Sequence, residues 1–302
     1  LTSGAATDLG RVGARDEVLL GLALKLPQVT AYGLTTTGNL IAFDPANPSV
    51  TPDLVRTQAQ LGGEKLVTLD YRASDNKLFG VSAAGNIYRI DPTVAAPVAT
   101  FVKQMLNFDD NTAPQFSSFG AATDFGSDFD PRASVDSAGM RIVAAGNPAQ
   151  NLRVNVVSGS TFSDGNLAVD NTAPPIIGAL FPDACDDSAA PQVGGIAFSN
   201  NLATVSSTLY AINANTDCLY TVAANGAMTA IDTLGVTTTP TMGFDIAGVQ
   251  DGVALAALDT GASQSILYAI DLATGKASAR GLIGTAATGK LAALTIAVRP
   301  AP

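Results

Sequence analysis

Three aspartates are the residues of this chain whose type and spacing best suit metal chemistry. Asp70, Asp128 and Asp245 each occupy the same position of a strand-like segment that recurs along the sequence. If these strands surround a common axis, the carboxylates converge, and oxygen ligands of this kind are those that Ca²⁺ prefers. The alternative is that each aspartate accepts backbone N–H groups of the adjacent turn and locks neighbouring blades together. We favour the structural alternative, because alanine occupies this position in the other copies. These alanines are Ala23, Ala197 and Ala297.

The chain lacks the residues on which many catalytic sites depend. It contains no histidine and no tryptophan among its 302 residues. Ser-His-Asp catalysis, Cys-His catalysis and imidazole metal ligation are therefore excluded. No nucleophile elbow, phosphate-binding loop, dinucleotide fingerprint or CxxC pair occurs. We expect no catalytic residue, no cofactor other than calcium, and a protein that is not an enzyme.

The composition argues against two classes of partner. The formal net charge is −10, so nucleic acid and anionic lipid are repelled. Charged residues make up 14% of the chain, against roughly 25% in typical soluble proteins. No run of about 18 apolar residues is present, and we therefore predict no membrane span.

Two acidic clusters and a group of arginines are weaker candidates. The clusters lack the spacing of a calcium-binding loop, so solvated loop charge is the better interpretation. They comprise Asp183, Asp186 and Asp187 around Cys185, and Asp109, Asp110 and Asn111. The arginines are Arg132, Arg141 and Arg153. The negative net charge favours ion pairing of these arginines, with Asp128 or Asp130, over anion binding.

The elements that must position these residues are short strands in a repeating unit. The clearest copy is EKLVTLDYRASDNKLFGVSAAGNIYRIDP, where alternation from Leu66 to Arg72 predicts a first strand. Two tight turns separate it from two further strands, and the next stretch supplies a fourth. Four antiparallel strands in about 40 residues are the unit of a β-propeller blade. The sequence predicts an all-β propeller with five blades preferred over six.

A surplus first strand distinguishes the two ends of the chain. The segment from Glu17 to Pro45 overlays the repeat at Glu64 without a gap. Its apolar stretch 17–26 competes with residues 291–299 for the first strand of one blade. The strand left over extends a blade edge or pairs with a second copy, since open sheet edges invite strand addition. We predict a flexible arm over residues 1–16 and a single propeller domain over residues 17–302.

Two cysteines, Cys185 and Cys218, lie 33 positions apart. If paired, they close a loop that stabilises the fold by on the order of 3–4 kcal/mol. Two buried free thiols are the alternative. The chain begins at Leu1 without an initiator methionine, as a secreted chain that has lost its leader would, although a trimmed chain would begin in the same way. We favour the disulfide, because it suits an exported protein.

Several of these segments resemble a known bacterial family. They are YGLTTTGNLIAFDP, LVTLDYR, FGSDFDPR, STLYAINANTD and MGFDIAG, in this order, and the resemblance spans residues 29–298. The family comprises secreted, propeller-like proteins built on a domain of unknown function. The resemblance implies an exported propeller with no assigned activity, because its motifs are repeat motifs that carry no chemistry.

Two functional hypotheses follow. The leading one is a non-enzymatic, extracellular or cell-surface propeller that acts as a structural or binding protein. Its partner is a second copy, joined through residues 17–26 or 291–299, or a surface glycan or protein bound by the loops at Asn111 and Asn171. The competing hypothesis is a calcium-binding enzyme or ligand-binding protein with Asp70, Asp128 and Asp245 in a central channel.

Overall fold

The structure, a computed structural model, is built from β-strands over nearly all of the regular secondary structure that it describes. The described residues are 28–57, 63–92, 94, 99–107, 118–132, 139–146, 149–171, 185–186, 189–199, 206–247 and 253–299. Their strands form five sheets that are the blades of a five-bladed β-propeller. This confirms the predicted fold and decides for five blades. Within the same residues, no helix is long and apolar enough to cross a membrane.

Each blade is a sheet whose strands follow one another from the axis outward. Blade one contains β22 (Leu291–Arg299), β1 (Gln28–Thr35), β2 (Leu40–Phe43) and β3 (Asp53–Arg56). Blade two contains β4 (Asp70–Arg72), β5 (Lys77–Val81), β6 (Asn86–Ile90) and β7 (Ala99–Gln104). Blade three contains β9 (Phe125–Phe129), β10 (Gly139–Ala144), β11 (Gln150–Asn155), β12 (Ser160–Ser163) and β8 (Leu106–Asn107). Blade four contains β14 (Val193–Phe198), β15 (Leu209–Asn213), β16 (Cys218–Val222), β17 (Ala227–Thr233) and β13 (Ala168–Val169). Blade five contains β18 (Met242–Ala247), β19 (Val253–Leu258), β20 (Ile266–Ile270) and β21 (Ala277–Leu282).

Blade one is closed by strands that are far apart in sequence. β22 runs antiparallel to β1, from the pair Gln28–Arg299 to the pair Thr35–Leu291. Residues 291–299 therefore take the innermost place for which two segments compete in the sequence. The predicted arm over residues 1–16 and the predicted strand over residues 17–26 lie outside the described residues.

The five innermost strands pack tightly around the axis. Every residue of β9, β14 and β18 is buried. Glycines allow this approach, since a Cβ at Gly126 would lie 2.9 Å from the backbone nitrogen of Ile196. At Gly243 the Cβ would lie only 2.2 Å from the backbone nitrogen of Leu294. Backbone packed against backbone leaves no room for a side chain at these positions.

The hydrophobic core is divided into five clusters, one between each pair of neighbouring blades. Between blades two and three, for example, Phe79 meets Phe129 edge to face with ring centroids 5.5 Å apart. Each blade thus buries both of its faces.

Short connections join consecutive blades beyond their core contacts. β8 follows β7 of blade two and pairs in parallel with β12 of blade three. In the same way, β13 follows β12 and pairs with β17 of blade four. The disulfide between Cys185 and Cys218 is present, with Cα atoms 5.8 Å apart, and it ties the segment before β14 to β16. The predicted pairing of the cysteines is confirmed.

Candidate metal centre at the propeller axis

The structure brings together the three aspartates that the sequence singled out. Asp70 lies in β4, Asp128 in β9 and Asp245 in β18, and their residues are 1%, 1% and 2% exposed. One carboxylate oxygen from each residue lies within 4.8 Å of the corresponding oxygens of the other two. We call these three residues the axial triad.

Each carboxylate of the axial triad bonds to the inner strand of the next blade. Asp70 Oδ2 accepts the N–H of Phe129 at 2.6 Å. Asp128 Oδ2 accepts the N–H of Phe198, and Asp245 Oδ2 accepts the N–H of Ile296. These bonds join blades two and three, three and four, and five and one. The triad therefore joins neighbouring blades, as the favoured interpretation of the sequence predicts, but the N–H groups belong to the next inner strand and not to an adjacent turn.

In β22, the residue at the position of the aspartates is Thr295. The prediction that Ala297 occupies this position is wrong. Asp70 accepts the N–H of the residue that follows Asp128, and Asp128 accepts the N–H of the residue that follows Ala197. Each aspartate thus bonds to the residue just after its counterpart in the next blade. Ile296 donates its N–H to Asp245, so its predecessor Thr295 is the counterpart. Thr295 Oγ1 in turn accepts the N–H of Tyr71 in blade two at 3.0 Å. Ala297 lies two residues further along, in the core between blades one and two.

The contacts of the Thr295 hydroxyl are not all hydrogen bonds when every carboxyl of the axial triad is ionised. Thr295 Oγ1 lies 2.8 Å from Asp70 Oδ1 and 2.9 Å from Asp245 Oδ2. A hydroxyl has one hydrogen, so it donates to only one of these oxygens. The other contact brings two oxygen acceptors together unless the carboxyl itself carries a proton or a positive ion lies nearby.

One oxygen of the axial triad has no hydrogen-bond donor. Asp128 Oδ1 is buried and has no partner among the described residues. The corresponding oxygens of the other two aspartates accept the N–H of the next residue in their own strands, Tyr71 at 2.7 Å and Ile246 at 2.6 Å. A buried acceptor without a donor is unusual in a folded protein and is commonly served by an ion or a water.

Burial raises the pKa of all three carboxyl groups. The pKa of Asp70 rises to about 6, because desolvation outweighs the hydrogen bonds that it accepts. The pKa of Asp245 rises to about 7, through desolvation and then the charge of Asp70. The pKa of Asp128 lies well above its usual range, through desolvation and the charges of both neighbours. The triad thus holds protons near neutral pH unless a cation replaces them.

The axis is closed rather than an open channel. At the level of Gly126 and Gly243 all five blades line a cavity of only about 10 Å³. This space is no larger than one water molecule needs. The predicted central channel is therefore absent at this level, because the inner strands carry glycines and approach one another directly.

All three arginines form ion pairs, but only one of them pairs with a predicted aspartate. Arg132 binds Asp130 through both of its carboxylate oxygens, as expected. Arg141 and Arg153 instead share Asp164, which the sequence did not single out. Asp164 lies just beyond β12, so its proximity depends on how the outer strands of blade three pair.

The two acidic loop clusters fall largely outside the described residues. Asp109, Asp110 and Asn111 are not described, and of the cluster around Cys185 the described aspartate, Asp186, is exposed. Among the described residues, the axial triad is the one group of acidic or thiol side chains close enough to hold a metal ion.

The family of the chain is given by a match over residues 39–294 to a domain of unknown function, DUF4394. The chain belongs to this family. The match confirms the resemblance that the repeat motifs indicate. No curated protein matches the chain. Family membership therefore supports the fold and assigns no chemistry to the axial triad.

Several solved structures are similar to the chain at low sequence identity. A chain in the crystal structure of a nidogen/laminin complex has a TM-score of 0.50 and 11% identity, with 89% of this chain and 98% of that chain covered. A protein of unknown function from Bacteroides thetaiotaomicron has a TM-score of 0.47 and 13% identity, with 85% and 59% covered. An auxiliary nutrient binding protein from the same species has a TM-score of 0.37 and 13% identity, with 68% and 47% covered. At such identities, the first likeness supports the propeller fold alone.

Proposed function

We propose that the chain is an exported, non-enzymatic binding or structural protein whose blades are held together at the axis by a calcium ion. The observation that carries this proposal is the shortage of protons around Thr295. Two buried carboxylates, those of Asp70 and Asp245, share the single hydroxyl hydrogen of Thr295, and Asp128 Oδ1 has no donor among the described residues. A divalent cation supplies the missing positive charge, and Asp128 Oδ1 becomes one of its ligands.

The donor set favours calcium over other metals. All the groups at the site are oxygens, without the nitrogen or sulfur ligands typical of zinc. One oxygen of each aspartate lies within 4.8 Å of the other two, so all three can contact one ion at the calcium–oxygen distances of about 2.3–2.6 Å. Magnesium usually retains several waters, and the closed axis offers little room for them.

The non-enzymatic part of the proposal rests on access. Each residue of the axial triad is at most 2% exposed. A general acid or base must come within hydrogen-bond reach of its substrate. Only a proton or a bare ion reaches carboxylates buried to this degree. The disulfide supports export, because such bonds persist mainly in oxidising compartments.

Self-assembly is the form of structural role that the sequence predicts through residues 17–26. β22 already fills the innermost place of blade one. A strand formed by residues 17–26 therefore has only blade edges, in its own chain or in a second copy, on which to pair. This supports self-assembly as a more specific version of the proposal.

Elemental analysis and a calcium titration test the proposed metal. We expect one calcium per chain in protein purified without chelator. After dialysis against EDTA at pH 7.5, added calcium at about 100 times its dissociation constant stabilises the fold by roughly 2.7 kcal/mol. Magnesium at the same concentration serves as the control and gives a smaller shift. Metal-free protein whose melting temperature is the same in EDTA and in calcium contradicts the proposal.

A further inference from the structure

A second polar site lies in blade three, where Arg141 of β10 is directly opposite Asp128 of the axial triad. A cavity of about 280 Å³ opens along β10, β11 and β12. Arg141, Arg153, Ser160 and Phe162 form part of its wall, together with Asp130. This volume lies near the lower end of the range of small-molecule sites. We call it the blade-three cavity.

The register of the sheet places its two arginines and its aromatic ring side by side. Arg141 of β10 is directly opposite Arg153 of β11, and Arg153 is opposite Phe162 of β12. Directly opposed residues project from the same face of a sheet. The guanidinium of Arg153 lies over the Phe162 ring, 5.2 Å from its centroid. The cavity wall therefore combines two cationic groups with one apolar surface.

The cationic groups of the blade-three cavity are only partly neutralised. The guanidinium groups of Arg141 and Arg153 both bind the same oxygen of Asp164, at 2.6 Å and 2.5 Å. Asp130 is already bound by Arg132. Two arginines and one carboxylate leave one positive charge at this cavity, in a chain whose formal net charge is −10.

Arg141 also has an unused hydrogen-bond donor. The residue is 4% exposed, and its Nε–H has no acceptor among the described residues. Its Nη1 binds Asn151 Oδ1 at 2.9 Å in addition to Asp164. A buried charged donor that lacks an acceptor is unfavourable, so the site gains from an incoming anion.

We infer that the blade-three cavity binds a small organic carboxylate. The planar fork of a guanidinium matches the two oxygens of a carboxylate, and the half-exposed Arg153 presents such a fork at the cavity wall, with the buried charge of Arg141 beside it. Phe162 provides a surface for the apolar part of the ligand, and Ser160 provides a hydroxyl. The inference rests on the proposed binding role and specifies the ligand class. Arg141 and Arg153 are ion-paired, as expected, but they share one carboxylate, and one positive charge remains for the ligand.

Isothermal titration calorimetry of the full chain at fixed ionic strength tests the inference with three probes. Benzoate supplies a carboxylate and an apolar ring, benzamide is its neutral isostere, and inorganic phosphate is an anion of different shape. We expect benzoate to bind at least roughly tenfold more tightly than either of the others, because only benzoate satisfies the guanidinium fork and the Phe162 surface together.

Two variants with the same change of charge separate the site from general electrostatics. The side chain of Arg153 is 48% exposed, so Arg153→Gln leaves the fold intact, and it weakens benzoate binding by roughly tenfold. Arg89→Gln changes an exposed residue of blade two and leaves benzoate binding unchanged. Benzoate binding that is equal in the two variants, equal to benzamide or phosphate binding, or absent at millimolar concentration overturns the inference.

The calcium response of the melting temperature is measured on the same samples. If benzoate fails to bind while the calcium shift is present, the carboxylate site is refuted and the proposed axial metal stands. If benzoate binds and calcium has no effect, the axial metal is refuted and the carboxylate site stands.

Discussion

Calcium-free protein should lose stability as the pH rises from about 4 to 7, because the axial triad binds more protons in the folded state than in the unfolded state. An unfolded aspartate has a pKa of about 3.9. The folded pKa is about 6 for Asp70 and about 7 for Asp245. Folded-state pKa values above the unfolded value give stability that is fully present below pH 4. This stability is lost progressively as the pH rises through the folded values.

The size of the effect follows from these two shifts. Each pKa unit corresponds to 1.36 kcal/mol, so Asp70 contributes on the order of 3 kcal/mol and Asp245 on the order of 4 kcal/mol. The two carboxyls interact, so their contributions do not add, and we expect a total loss on the order of 3–5 kcal/mol. At about 2 °C per kcal/mol for a chain of this size, the melting temperature falls by roughly 6–10 °C.

The variant Asp128→Asn isolates the contribution of the axial triad. Asparagine keeps an oxygen to accept the N–H of Phe198, and its amide nitrogen takes the place of Asp128 Oδ1, which has no donor among the described residues. The new N–H₂ group donates towards the remaining carboxylates. We expect Asp128→Asn to melt higher than the parent protein at pH 7.5 in EDTA, to depend less on pH, and to lose its response to calcium.

Asp70→Asn is the matched comparison. Both oxygens of Asp70 accept backbone N–H groups, from Tyr71 and from Phe129. An amide therefore places a donor against a donor, which costs about 1–3 kcal/mol. We expect Asp70→Asn to be less stable than Asp128→Asn, although both remove one charge.

Thermal melts followed by circular dichroism between pH 4.5 and 7.5, in EDTA and in calcium, provide the assay. Calcium must displace protons from the carboxyls, so its stabilising effect should be larger at pH 7.5 than at pH 5. A melting temperature that is constant or rises with pH in EDTA would refute the argument. Equal stability of the two asparagine variants would refute the hydrogen-bond assignment.

Three further predictions concern the rest of the molecule. Replacing Cys185 and Cys218 with serine should lower the free energy of unfolding by about 3–4 kcal/mol in denaturant titrations, and an unchanged midpoint would contradict this. Gly243→Ala should abolish folding, because its Cβ would lie 2.2 Å from the backbone nitrogen of Leu294; a soluble variant with the parent melting temperature is the opposing result. Deleting residues 1–26 should reduce the assembled mass in light scattering, whereas a monomer before and after deletion argues against self-assembly.

The repeat pattern predicted the blades well and the exact register less well. Residues 66–72 alternate like one strand, yet β4 contains only Asp70–Arg72. Upstream, the Oγ1 of Thr68 accepts the N–H of Val81 at 3.0 Å, and the carbonyl of Val81 receives both Val67 and Thr68 N–H groups. A side chain thus replaces a regular ladder bond. Periodicity records which face a residue occupies and contains no information about such a substitution.

The sequence did not predict that Thr295 occupies the axial position, for a related reason. The last inner strand has small, alternating residues and no aspartate to mark its place, so aligning it by pattern alone put Ala297 at the axis. Its register is fixed instead by pairing with β1, more than 250 residues earlier in the chain. Only the closed ring shows that the Thr295 hydroxyl lies between Asp70 and Asp245 and accepts the N–H of Tyr71 as the fourth acceptor at the axis.

The five blades carry different residues at the axial position. These differences explain why the axial triad joins neighbouring blades and yet leaves one carboxylate oxygen without a donor among the described residues. In each inner strand, the N–H after the axial position points towards the preceding blade. Where the preceding blade has an aspartate at its own axial position, that aspartate accepts this N–H. Blade four has Ala197 instead, so Asp245 Oδ1 turns back to accept the N–H of Ile246. Asp128 has no such opportunity, because Asp70 already accepts the N–H that follows it. Five aspartates would satisfy every N–H and bury five charges. Three aspartates and Thr295 satisfy the same groups with three carboxyl groups, and they leave one oxygen, Asp128 Oδ1, without a donor among the described residues; this is the oxygen that the proposed cation would bind.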